Sequence, residues 1–405
     1  MNLNFRKILV LGIVIAGILV IILGLFALLG GKPGNDKNTA TTTNTTNLPT
    51  SGDNPVTTTT PSSETNSINQ SLEENIGQIQ QSERIKVLSD RPVMGISLNR
   101  EGDRVVYYDK ETGQVFRISF DGKIWERISD VNLKGITNIT WAPTRDKVLV
   151  EYNDGKTRQK YVYDYDSGKK YSLSSRMGQV VFSPDGQKIL YHYWYPQQGS
   201  NVAVARFDGS NWFSLFPSEM TGLQLAWPKI DTVTFIAPEG DFYGATVYFI
   251  KLESPYNLKE IMDEKYSIET NWSPSGNKLL YSYKDSKDAT NKGLYIRDFS
   301  TDTEINLNFI LPPGNCAWAK NELALYCAQE TKNLLNIIPQ NYQKKLSLLG
   351  DSFWKIDLGA KEIQEVYIPE TGEQVYGVGE IIISDKEDFF FFENKLDGKL
   401  YSLEL

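Results

Sequence analysis

Histidine is nearly absent, with His192 the single one in 405 residues. A His-based catalytic triad or a multi-histidine metal site is therefore hard to build. Two cysteines cannot supply the four thiolates of a structural zinc site. There is no basic excess either: 42 Lys and Arg stand against 50 Asp and Glu, a net charge of -8. No broad basic surface for a nucleic acid backbone follows from that balance, so no nucleic acid partner is expected. Gly-x-Ser-x-Gly, His-Glu-x-x-His and P-loop patterns are missing. Gly377-Val378-Gly379 lacks the third glycine and the following helix of a nucleotide loop. No catalytic residue, metal or cofactor is read from the chain.

What is present begins with a charge-free run of 22 residues, Ile8 to Leu29. As a helix it would extend about 33 Å, enough for a hydrocarbon core of about 30 Å. A cleaved signal peptide would have a shorter apolar region and a small-x-small ending, which Ala27-Leu28-Leu29 does not provide. Residues 8–29 are expected to be an uncleaved transmembrane anchor. Arg6 and Lys7 place residues 1–7 in the cytoplasm and the remainder beyond the cytoplasmic membrane. Residues 30–83 are rich in Thr, Asn and Ser, with almost nothing apolar to offset the entropy of ordering, and read as a flexible linker. As a coil, the 53 residues from Gly31 to Glu83 would span roughly 40 Å. Ser71-Leu72-Glu73-Glu74, ahead of Ile76 and Ile79, has the form of a capping box for a short helix.

From residue 84 onward one unit recurs. Its clearest copies are Val181-Phe182-Ser183-Pro184-Asp185-Gly186-Gln187-Lys188-Ile189-Leu190-Tyr191 and Asn271-Trp272-Ser273-Pro274-Ser275-Gly276-Asn277-Lys278-Leu279-Leu280-Tyr281. A third starts at Trp141, and degenerate copies start at Leu98, Trp227, Trp318 and Ile383. The anchors are 43, 41, 45, 45, 46 and 65 residues apart. Pro presets φ, Asp or Ser tolerates the next position and Gly accepts positive φ, so each copy opens with a tight hairpin. Alternating large residues then mark a third strand, as in Tyr161, Tyr163, Tyr165 or Tyr401, Leu403, Leu405. A turn such as Asp121-Gly122 leads into a fourth. Four strands in about 45 residues make one propeller blade, which cannot bury its faces without neighbours. The fold class is all-β, a seven-bladed β-propeller of four-stranded blades over residues 84–405.

These residues resemble the TolB-type and WD-repeat-like β-propeller repeat family, whose unit carries a Trp/Phe-Ser-Pro-Asp-Gly turn followed by a Lys-apolar-apolar-aromatic strand. The resemblance implies the fold and leaves the role open, since such propellers serve many functions. The fourth, sixth and seventh copies depart from the turn motif. The seventh copy ends at Leu405 with its third strand, one strand short. Residues 84–90 look like a fourth strand and are expected to complete that last blade.

Cys316 and Cys327 flank a hairpin with Asn321-Glu322 as its turn, which makes them cross-strand neighbours about 5 Å apart. A disulfide is expected, with two buried thiols as the alternative. The anchors Trp141, Trp227, Trp272 and Trp318 read as packing between blades. His192, placed just past a second strand, reads as a packed side chain, and Asp164, Asp166 and Gly168 as turn chemistry rather than a calcium loop.

The remaining candidates are surface residues. Loops between second and third strands and between blades emerge on one face around the channel. That face would carry Tyr193, Trp194, Tyr195 and Gln197 from the third copy, Phe242 and Tyr243 from the fourth, and Tyr342 from an insertion in the sixth, residues 330–350. Aromatics beside a channel mouth suit a peptide or a glycan equally well. The expectation is a single-pass, extracytoplasmic propeller acting as a non-catalytic protein- or ligand-binding module. The alternative is a glycan- or peptide-processing enzyme using two convergent carboxylates in the channel.

Overall fold

The computed structural model describes residues 84–405 apart from 130–131, 196–198, 219, 221, 239–243, 287–288, 290–292 and 335–349. The expected anchor at 8–29, the linker at 30–83, the capping box, Gln197, Phe242, Tyr243 and Tyr342 lie outside the described residues. Among the described residues no helix is long and apolar enough to cross a membrane.

The described chain is all-β, built of antiparallel sheets in sequence order. The first copy forms strands Val93–Leu98, Arg104–Asp109, Val115–Ser119 and Trp125–Ser129. The second forms Ile136–Trp141, Lys147–Asn153, Arg158–Asp164 and Lys169–Leu173, and the third Met177–Phe182, Lys188–Tyr195, Gly199–Arg206 and Phe213–Pro217. The sixth forms Cys316–Trp318, Ala324–Glu330, Asp351–Asp357 and Glu362–Tyr367. The seventh supplies Val378–Ile383, Phe389–Asn394 and Leu400–Glu404, and its sheet is completed by Ile85–Val87. There Ile85 opposes Leu403 and Val87 opposes Tyr401, and the Leu88 N–H donates to the Leu400 carbonyl at 2.7 Å.

The fourth and fifth copies correct the expectation of separate four-stranded units. They share one seven-stranded sheet, because the fourth strand of one and the first strand of the next are a single 15-residue strand, Leu258–Trp272. Its first half pairs with Ala245–Ile250 and its second with Leu279–Lys284. No Gly or Pro interrupts Asp263-Glu264-Lys265-Tyr266-Ser267, so the chain changes partner by bending at Glu264 (φ 52°) and Ser267 (φ 50°) instead of through a loop.

Six of the opening hairpins share one backbone turn whichever residue holds its left-handed position. In the third copy the Ser183 N–H donates to the Lys188 carbonyl and the Gly186 N–H to the Ser183 carbonyl, both at 2.9 Å. The sixth copy repeats this with Ala319 and Glu322 (φ 58°), and the seventh with Ser384 and Glu387 (φ 60°). Only the fourth copy departs, with Lys229 paired to Thr232 across a two-residue turn.

Buried apolar clusters join each copy to the next. Val106 and Tyr108 pack with Ile139 and Val148, Leu149 and Val162 with Phe182 and Ile189, and Leu190 and Val204 with Trp227 and Val233. Ile236 and Val247 then pack with Leu279 and Tyr281, Leu280 and Ile296 with Trp318 and Trp354, and Tyr326 and Phe353 with Phe390 and Phe392. Finally Phe391 and Leu400 of the last copy pack with Val93 and Ile118 of the first. Each sheet buries both faces, as blade-type packing requires.

Candidate functional site, an aromatic groove between the second and third sheets

The second strand of the third copy, Lys188–Tyr195, runs further than the sequence suggests. It holds Lys-Ile-Leu-Tyr-His-Tyr-Trp-Tyr, a composition that favours a pleated strand to its last residue. Successive side chains therefore alternate between faces. Tyr191, Tyr193 and Tyr195 line one groove, while His192 and Trp194 project from the opposite face. Of the expected residues, Tyr193 and Tyr195 are thus brought together in the groove, and Trp194 lies on the other side of the strand. Trp194 is 45% exposed, and His192 Nε2 lies 3.3 Å from the Ser218 carbonyl.

The groove has a volume of about 250 Å³. Its floor is the tyrosine row: the Tyr193 and Tyr195 rings are 4.6 Å apart and the Tyr191 and Tyr193 rings 6.2 Å apart. Burial pushes the Tyr191 hydroxyl up to about 12, so it stays protonated and able to donate. One wall is Ser172, Leu173 and Ser174 of the preceding sheet, with Ser174 Oγ 3.5 Å from the Tyr193 hydroxyl. The other wall carries Asn201 and Ala203, then Asp208, Gly209 and Trp212 of the turn before the fourth strand. Partial burial disfavours the charged form of Asp208. The Ser210 O–H at 2.6 Å and N–H at 2.9 Å outweigh it and hold that carboxyl below the usual range. Trp212 is 59% exposed. Hydroxyls, a carboxamide and a carboxylate thus rim an aromatic floor. Trp212 is not among the expected site residues; it directly precedes the fourth strand Phe213–Pro217, whereas Trp125 in the first copy is the first residue of its fourth strand.

The other candidates fall elsewhere. Cys316 and Cys327 oppose each other across the sixth hairpin and are joined by a disulfide. The Asp166 N–H and Ser167 O–H donate to Asp164 at 3.1 and 2.8 Å, which is turn chemistry. Arg145 Nη2 and Lys320 Nζ lie 2.8 and 2.6 Å from Asp385, tying together hairpins of the second, sixth and seventh copies. On the first strand of the seventh copy, Glu380 accepts the Ile96 N–H of the first copy at 3.1 Å. Surrounding protein, with Glu393 adding repulsion, pushes the Glu380 carboxyl up to about 7 against the opposing pull of the Ile96 and Gly95 N–H groups. Among the described residues no group of three His, Cys, Asp or Glu side chains converges as a metal site would require.

No protein-family model matches the chain, and no curated protein matches it. Solved structures do. An oligogalacturonate lyase in complex with manganese aligns at a TM-score of 0.56 and 11% identity, over 81% of this chain and 96% of that one. The Swd1 β-propeller domain of Myceliophteria thermophila aligns at 0.51 and 10%, over 79% and 99%. TolB from Acinetobacter baumannii aligns at 0.45 and 14%, over 71% and 66%. Identities this low speak for the fold alone. The repeat, the sheets and the likenesses at TM-scores of 0.56 and 0.51 together show a β-propeller fold.

Proposed function

We propose that the chain is a membrane-anchored, extracytoplasmic β-propeller of seven blades that acts as a binding module without chemistry of its own. Seven interblade clusters, the last of which returns to the first copy, support the blade count. The apolar run Ile8 to Leu29 supports the anchor, and a disulfide between Cys316 and Cys327 suits an oxidising compartment outside the cytoplasm. The observation that carries the binding role is the groove over Tyr191, Tyr193 and Tyr195, where an aromatic floor meets a polar rim and an exposed Trp212. Exposed indole and phenol groups at a concave site are the side chains that most often anchor a partner. The test is an array of peptides and glycans probed with the ectodomain and with a Tyr195→Ala/Trp212→Ala variant. The expected result is a ligand retained by the first and lost by the second; identical binding by both would remove the groove from the account.

A second reading rests on Glu380. A carboxyl at about 7 can hold or release a proton near neutrality, as a general acid or base must. Its engagement with the Ile96 N–H favours a structural part, which is why the binding role is preferred. Turnover of a glycan or peptide that disappears in Glu380→Gln would reverse the preference.

A further inference from the structure

The aromatic groove of the third copy lacks a charge that two other copies supply for themselves. In the second copy the Lys170 ammonium lies 4.0 Å from the centroid of Tyr161 and 5.7 Å from that of Tyr152, a cation held over two rings. In the fifth, Lys265 lies 4.1 Å from the centroid of Tyr283. Tyr152, Tyr193 and Tyr283 hold one position, eleven residues after the anchors Trp141, Phe182 and Trp272. The ladders match the remaining positions of the second and third copies. Lys147 opposes Asp164 as Lys188 opposes Arg206, so Ala203 stands where Tyr161 does. Tyr171 opposes Val162 as Phe213 opposes Val204, so Trp212, one step earlier, stands where Lys170 does.

Two replacements therefore separate the copies. Ala203 in place of Tyr161 removes a ring and leaves room, and Trp212 in place of Lys170 exchanges the chain's own cation for one more aromatic ring. What remains is Tyr191, Tyr193, Tyr195 and Trp212 around about 250 Å³, with no Lys or Arg among the described residues that line it. The Tyr193 ring is inclined at 72° to that of Tyr191 and at 51° to that of Tyr195, so the three do not cover one another face to face. Asp208 adds a carboxylate that Ser210 keeps ionised. Arg206 approaches it at 3.9 Å, but that side chain is 54% exposed and stands outside the lining.

We propose that this groove receives an alkylammonium group, the aromatic rings taking the place of its hydration shell and Asp208 balancing its charge; this deepens, and rests on, the binding reading given above. A ligand cation then fills the place that Lys170 fills in the second copy. Ring faces attract a cation most strongly where water is excluded, and Tyr191 is 3% exposed at the groove floor. An anion would meet Asp208 without a basic side chain in the lining to offset it. A cavity of about 250 Å³ is below the usual size for a whole small-molecule ligand and fits one cationic head group. Two sources carry such a group, a small quaternary cation of the choline type and the lysine side chain of a peptide. The outermost strand Phe213–Pro217 starts beside the groove at Trp212 and is paired on one side, which gives a peptide an edge to lie along.

The experiment measures binding to the full chain in detergent by calorimetric titration. The probes are choline, its uncharged carbon isostere dimethylbutanol, a capped lysine peptide and the same peptide acetylated at Nζ. Trp212→Ala, Trp212→Lys, Tyr195→Phe and Asp208→Asn are compared, with melting temperatures checking that folding is intact. Choline or the lysine peptide is expected to bind about tenfold or more tightly than its uncharged counterpart, and Trp212→Ala to weaken it about tenfold, within the range of one cation–π contact. Asp208→Asn should weaken it about fivefold, and Tyr195→Phe, which keeps the ring, by less than about twofold. Trp212→Lys rebuilds the arrangement of the second copy, fills the site from within and should abolish binding. Whichever ammonium probe binds more tightly assigns the source. Equal binding of charged and uncharged probes, ammonium binding unchanged in both Trp212 variants, or no ammonium probe bound at all overturns the proposal. If in that last case a peptide or glycan is still captured by the ectodomain and lost in the Tyr195→Ala/Trp212→Ala variant, the cation class falls while the binding role stands.

Discussion

The Glu387 carboxylate accepts the Tyr326 phenol O–H at 2.8 Å, from the left-handed position of one hairpin to the second strand of the preceding sheet. Its other oxygen accepts from Asn321 Nδ2 at 2.8 Å, and the Lys355 ammonium stands 3.8 Å away. The sixth copy uses the same device, with the carboxylate of Glu322 accepting from the backbone and hydroxyl of Ser275 in the fifth. Where glycine would relieve the backbone, these copies hold a side chain long enough to reach the preceding hairpin. The left-handed conformation costs a non-glycine residue about 1–2 kcal/mol, and a hydrogen bond to a charged group contributes about 1.5–3 kcal/mol, so the bonds win. Glu387→Ala keeps the backbone cost and loses both bonds, and is expected to destabilise the fold by about 2–3 kcal/mol. Glu387→Gly relieves the backbone and should lose roughly 1 kcal/mol less. Urea titration of the two variants checks the order.

Ile85 is 1% exposed and packs with Phe390 and Leu403 in the closing sheet. The Arg84 guanidinium also donates to the carbonyls of Glu404 at 2.8 Å and Val366 at 2.9 Å, linking the closing sheet to the outermost strand of the sixth. Ile85→Ala is expected to cost about 2–5 kcal/mol, as for other buried aliphatic truncations. Internal deletion of 84–90 leaves the edge of Leu400–Glu404 unpaired and the Leu88 pocket empty, and should lower the melting temperature by more than the point variant does. A melting curve unchanged by the deletion would reject a closing role for this segment.

How much of this was legible depended on whether local chemistry decided the outcome. The anchors Trp141, Phe182 and Trp272 and the turns after them announce hairpins because Pro, Asp and Gly set backbone angles by themselves. The closing strand is equally readable, since Arg84-Ile85-Lys86-Val87-Leu88-Ser89-Asp90 is similar to the fourth-strand segment Glu126-Arg127-Ile128-Ser129-Asp130. The fusion of the fourth and fifth copies was not. Glu264 and Ser267 take left-handed angles at exposed positions, and nothing in Asp263-Glu264-Lys265 announces it. The groove was half readable: Tyr193 and Tyr195 were singled out. Ending the strand near Tyr191 left Trp194 on the same side, whereas the strand continues and alternation turns it away. In the sequence Trp212 reads as the start of a fourth strand, Trp212 to Phe216, and nothing there marks its side chain as 59% exposed beside the groove.

Cys316 and Cys327 are 2% and 0% exposed and 11 residues apart in sequence. Protein purified without reductant and unfolded in guanidinium is expected to show no free thiol, and two after reduction. Two thiols before reduction would reject the bridge. Closing so short a loop restricts the unfolded chain by roughly 3 kcal/mol, so a Cys316→Ala/Cys327→Ala variant should unfold at lower denaturant with little change in slope.

Glu380 ties pH to the seam where the last sheet meets the first. Its carboxyl sits at about 7 in the folded protein against an ordinary 4.5, so between those values the folded state binds more protons than the unfolded one. Stability from this group is therefore present in full below about 4.5 and falls as pH rises toward 7. Above that, a carboxylate crowded by protein and by Glu393 opposes folding, tempered by the N–H groups of Ile96 and Gly95. Glu380 keeps an exposed surface, so water screens part of this, and the effect is smaller than the shift alone implies. Glu380→Gln retains an oxygen to accept from Ile96 and has nothing to ionise. Its melting temperature is expected to exceed that of the unmodified protein at pH 8, and the two should converge near pH 5. A variant that melts lower at pH 8 would show that the charge, and not the neutral acid, holds the seam.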